Sequence, residues 1–134
     1  WNYNGLYKHW GLAQSMARVR EVAQIIKSID NAHPVATIYG SAPPRHIIDG
    51  LPEVDAWGMN VYSGLSFGNS IDAFAQRSGK PLFMAEYGAD AFNANRGAED
   101  DEAQAHATRV LSEEVARRSS VHGRELLGGF LFEF

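Results

Sequence analysis

The sequence predicts an α/β protein built on a parallel sheet. Two observations carry that prediction. Short apolar, β-branched or aromatic runs alternate with stretches of helical periodicity along the whole chain, and such an order implies parallel strands joined by right-handed crossovers. The strand runs are also almost continuously apolar, as expected when both faces of a sheet are covered.

The elements follow in order. Residues 11–30 carry Leu12, Met16, Val19, Ala23 and Ile26 at three- and four-residue steps, with Arg18, Arg20, Glu21 and Lys27 off that stripe. Asn31 and His33-Pro34 stop this helix. Residues 35–39 form the first strand, and Gly40-Ser41-Ala42-Pro43-Pro44 is a loop. Residues 45–50 make a short helical turn. Residues 54–62 are the second strand, running into a Gly- and Ser-rich loop over 63–69. Ile71, Phe74 and Ala75 predict a short helix ending at Gly79. Residues 81–86 are the third strand, and 87–97 read as a polar irregular loop. Asp100 or Asp101 caps a helix to about Arg118, with Ala103, Ala107, Val110, Leu111 and Val115 facing inward. Residues 128–134 are the fourth strand.

Composition sets bounds. The chain has 134 residues, 45% apolar and 21% charged, and a net charge of −4. That is a globular composition of one-domain size, and its acidic balance argues against nucleic acid or an anionic membrane as partner. There is no cysteine, which excludes disulfides, thiolate nucleophiles and cysteine-ligated metals. No apolar run approaches the roughly 20 residues of a membrane helix. His9, His33, His46, His106 and His122 are scattered without ligand spacing, so neither a metal nor another cofactor is expected. Gly64 and Gly68 lack a phosphate-loop arrangement, and Ser63, Ser66 and Ser70 lack a nucleophile elbow. Both ends look cut: nothing regular leads into Trp1-Asn2-Tyr3-Asn4, and the sequence stops inside the apolar run over 130–134. A piece of something larger is expected.

Four strands leave two architectures open, a small open sheet or half of an eight-stranded barrel. The polar residues at the strand ends are informative, because active sites of α/β folds lie at the carboxyl ends of the strands. Glu86 follows the apolar run Pro81-Leu82-Phe83-Met84-Ala85, where a carboxylate is costly unless hydrogen-bonded or paired. It is either a functional carboxylate or a strand-end partner of an arginine. Asn60 and Tyr62 share a strand face by alternation. Asp90 and Asn93 stand in the loop after Glu86, as sugar ligands or as loop-capping Asx residues. Trp1, Tyr3, Tyr39, Phe67, Tyr87 and Phe92 gather near the same presumed mouth, where aromatic rings would suit the apolar faces of sugars.

PLFMAEYGAD, over residues 81–90, resembles the seventh-strand nucleophile motif of the clan A glycoside hydrolases, the family 2 members above all, with the β-1,3-glucanosyltransferases a near relative. VDAWGMNVYSG resembles their sixth-strand motif, GGFLFEF their eighth strand, and WNYNGLY the residues directly after the fourth-strand Asn-Glu. The resemblance covers nearly the whole chain in the expected order. It implies the carboxyl-terminal half of a (β/α)8 TIM barrel, from the end of strand four to strand eight, with the remaining half in the parent protein. It further implies a retaining O-glycoside hydrolase of β-linked carbohydrates. Glu86 is then the nucleophile and Tyr62 its hydrogen-bond partner. The acid/base glutamate would lie just before Trp1, outside the chain. Asn60, Trp1, Asn2, Tyr3, Asp90 and Glu133 become substrate contacts. Glu133 stays open as a second carboxylate or a structural salt bridge. A transglycosylase of the same clan and a non-catalytic carbohydrate-binding α/β domain are the alternatives. The mechanism requires the Tyr62 oxygen within hydrogen-bond reach of Glu86.

Overall fold

The structure, a computed structural model, describes residues 1–3 and 5–132. The first helix, α1, spans Gly5–Ile29 and is interrupted at Gly11, whose φ of 74° is open to glycine at little cost. The expected start at residue 11 is therefore the restart after this kink, and a first helical piece precedes it where no regular element was expected. Strand β1, Ala36–Tyr39, follows. Pro44 opens the short helix α2, Arg45–Asp49, which buries Ile47 and Ile48. Strand β2 is Ala56–Asn60 and helix α3 is Ser70–Arg77. The strand is shorter at each end than the apolar run suggests, yet Val61 still donates its N–H to the Glu86 carbonyl at 3.1 Å.

Strand β3, Leu82–Tyr87, begins after Pro81, which has no N–H to give but accepts from the Trp57 N–H at 2.9 Å. The loop that follows is not irregular throughout. It holds a two-residue antiparallel hairpin, β4 at Phe92–Asn93 and β5 at Ala98–Glu99. Helix α4 covers Asp101–Arg117, and Asp100 is its cap, its Oδ1 accepting the Ala103 N–H at 3.2 Å. A 3-10 turn at Ser120–His122 leads to strand β6, Leu126–Leu131. This strand starts two residues before the expected position, because fully buried Leu126 anchors it through an N–H bond to the Arg118 carbonyl.

The four long strands form one sheet in the order β1-β2-β3-β6, every neighbouring pair parallel. Trp57, Met59, Leu82, Met84 and Leu126 lie on one face and pack with Ile47, Leu51, Ile71, Phe74, Leu111 and Val115 of the flanking helices and loops. The core sits between that face and the helices. Register puts Ile38 opposite Gly58, and Gly58 opposite Phe83, on the other face. There Phe83 meets Phe130 edge to face, the centroids 6.2 Å apart. Ile38 is 44% exposed and Phe130 65%, so this second face is apolar but bare. The fold is thus a mixed α/β structure on a four-stranded parallel sheet. Among the described residues, no helix is long and apolar enough to cross a membrane.

Candidate functional site

The polar side chains collect at the carboxyl ends of β2 and β3. Glu86 is the fifth residue of β3 and pairs in register with Asn60, the last of β2, across an irregularity after Met59. Two residues past Asn60 the Tyr62 ring rises above the strand ends. Its hydroxyl donates to Glu86 Oε2 at 2.9 Å, which is a good charge-assisted geometry. Tyr62 is 53% exposed and Glu86 half-buried, so the pair faces solvent across an open pocket of about 570 Å³. Asp90, Gln104, Phe132 and the backbone turn over residues 89–91 complete its wall.

Asp90 is the loop-capping Asx residue of its two readings, and it stands at the pocket. Its Oδ1 accepts the Phe92 N–H at 2.8 Å, an Asx turn that starts the hairpin, while the residue lines the pocket. Asn93 ends β4 and serves the hairpin turn: its Oδ1 takes the Asn95 N–H and its Nδ2 donates to Asp100 Oδ2 at 3.1 Å. The Asp100 carboxyl is held below its ordinary value, first by that bond to Asn93, then by the Ala103 N–H and the Arg96 guanidinium.

Asn60 does not line the pocket. Its Oδ1 is buried and, among the described residues, accepts no hydrogen bond. Trp1, Asn2 and Tyr3 occupy the same rim but at β1, two strands from Glu86. Asn2 Oδ1 accepts the Gly40 N–H at 2.7 Å, the Trp1 ring stands edge-on to Tyr39 at 5.1 Å, and the exposed Tyr3 ring lies over Gly40. Among the aromatic residues expected at the mouth, Phe67 and Tyr87 are buried against each other at 5.7 Å and serve the core. Glu133 lies outside the described residues. Gln104 and Phe132 were not singled out from sequence. Gln104 is found only once Asp100 is known to cap α4, which turns the first helical turn toward the Ala89 carbonyl, bonded at 3.1 Å. Among the described residues no group of three or more His, Asp or Glu side chains gathers as a metal site.

Fold and rim together define an α/β protein with a phenol-held carboxylate at the mouth of its parallel strands. No family model matches the chain, and no curated protein matches it.

Proposed function

We propose that the chain is the carboxyl-terminal half of a (β/α)8 barrel belonging to a retaining glycoside hydrolase of β-linked glycosides or glycans, with Glu86 as nucleophile. The hydrogen bond from Tyr62 to Glu86 at the carboxyl ends of adjacent parallel strands carries this reading. A donor to the ionised form keeps a carboxylate charged and aimed. The sheet's bare apolar face supports the half barrel, since a closed barrel fills its interior with such side chains.

In the proposed reaction a Glu86 oxygen bonds to the anomeric carbon as the glycosidic C–O bond breaks. The departing oxygen takes a proton from a second carboxyl group. Water then returns a proton to that group and adds its oxygen to the anomeric carbon, releasing Glu86 as carboxylate. A sugar hydroxyl in place of water gives transglycosylation. Retaining enzymes hold the two carboxyl groups about 5–5.5 Å apart. Asp90 shares the pocket but spends one oxygen on the Phe92 N–H. We assign the acid/base to a strand outside this chain, just upstream of Trp1.

The test uses the natural full-length protein and a 2-fluoro-β-glycoside with a dinitrophenyl leaving group, which needs little acid assistance. Mass spectrometry is expected to find the sugar on Glu86, and Glu86→Gln to lose turnover by several orders of magnitude with the fold intact. Unchanged turnover in that variant, or a label on another residue, would sink the assignment.

A further inference from the structure

We infer that residues 89–100 form a preformed wall of the Glu86 pocket, and that Asp100 is the positioning residue that holds it; the substrate part of this inference rests on the glycosidase reading. The wall leaves the sheet after Tyr87, and only the two-residue ladder of the hairpin gives it regular structure. It is fixed instead from α4. Gln104 Nε2 donates to the Ala89 carbonyl at 3.1 Å, and the Asp100 N–H to the Ala91 carbonyl at 2.8 Å. These bonds flank Asp90, the charged residue by which the wall lines the pocket.

The Asp100 side chain divides its two oxygens between two duties. Oδ1 caps α4 through the Ala103 N–H at 3.2 Å. Oδ2 takes Asn93 Nδ2 at 3.1 Å and Arg96 Nη1 at 3.0 Å, both from the hairpin. The hairpin closes on itself through the Arg96 and Gly97 N–H groups, which share the Asn93 carbonyl. One largely buried carboxylate thus ties the hairpin to the helix that also presents Gln104 to the pocket. A wall ordered before binding spares the ligand the cost of ordering it. Losing the tie should weaken binding of substrate and transition state alike, which appears in KM and leaves kcat in place.

Three variants of the full-length protein separate this role from simple helix capping. Asn93→Ala removes part of the tie and leaves the cap. Asp100→Asn keeps one oxygen for the cap and gives up the second. Asp100→Ala loses both. Amide hydrogen exchange over residues 89–99 is read without substrate, and KM and kcat with an aryl β-glycoside. Faster exchange in that segment is expected for all three, with KM up about tenfold and kcat within about twofold. A lowered Tm is expected only for Asp100→Ala. If Asn93→Ala and Asp100→Asn leave exchange and KM unchanged, Asp100 is a helix cap and the inference is overturned. A wild-type protein that turns over no glycoside defeats the functional reading alone, since exchange still decides the wall.

Discussion

A carboxylate at the end of a buried strand is an expensive object, and how Glu86 is stabilised decides what it can do. One oxygen receives the Tyr62 hydroxyl, while the half-exposed side chain remains in reach of the pocket. A hydrogen bond to a charged group contributes about 1.5–3 kcal/mol, so Tyr62→Phe should lower kcat/KM by about 10- to 150-fold, the rate equivalent of that range. Because the ring is more than half exposed, its Tm should barely move. An unchanged kcat/KM would show that the phenol does not act on the reacting carboxylate. Glu86 and Tyr62 were legible in the sequence because each stands where apolar packing has no use for it. Gln104 was not, because its place depends on how the first turn of α4 meets the Ala89 carbonyl, fifteen residues earlier in the chain. The aromatic cluster was legible only as composition: Phe67 and Tyr87 are rings of the same kind as Tyr62, and only packing separates core from mouth.

At the scale of elements, periodicity was sufficient wherever an element buries a continuous face. The apolar run of β3 belongs to that class, and so does the α4 stripe at Ala107, Leu111 and Val115; Ala103, expected to face inward, is exposed in the first turn of the helix, and Val110 is half-buried. Periodicity fails where the element is too short to alternate, as in the β4–β5 hairpin, with two residues on each side. It also fails at the start of β6, because Gly128 and Gly129 are poor strand formers and draw the eye away from Leu126. At the opposite rim, Asp55 joins three elements: Lys27 of α1 pairs with Oδ2 at 2.5 Å, the Val35 N–H donates to the same oxygen at 2.7 Å, and Ala56 next in chain opens β2. The Lys27 contact, and then the Val35 N–H, hold the Asp55 carboxyl below its ordinary value. Between the folded and unfolded values the unfolded chain binds more protons, so stability falls as pH drops through that window, which lies below the ordinary value of about 3.9. Above it the contribution is fully present. With Asp55 well exposed to solvent, water screens the pair, and Asp55→Asn should cost only about 1 kcal/mol at pH 7. Denaturant titrations at several pH values should show the difference between wild type and variant shrinking below pH 4. A difference that stays constant to acid pH would assign the effect to packing.

At the scale of the whole molecule, the sheet is dressed on one side and bare on the other. Among the described strands, β1 and β6 are the outer ones; beyond the single Ser119–Leu126 bridge beside β6, their outer sides leave backbone donors and acceptors that invite pairing with another chain. The bare face presents Ile38 and Phe130, and α1 adds a second apolar stripe through Val22, Ile25, Ile26 and Ile29, beside the one that packs on the core. Ile26 was expected among the inward residues; its exposure means that α1 has more apolar surface than this sheet can cover. Surfaces of this kind on a folded chain mark places where something else packs. The 134-residue chain made alone should therefore self-associate or precipitate, its sedimentation mass rising with concentration. Phe130→Lys, which puts a charge on the bare face at an edge strand, should shift that equilibrium toward monomer, because charged edges and faces resist strand addition. A wild-type chain that sediments as one monomer at every concentration and melts cooperatively would contradict the half barrel, since a sheet with one bare apolar face and two open edges has no such stable state to occupy.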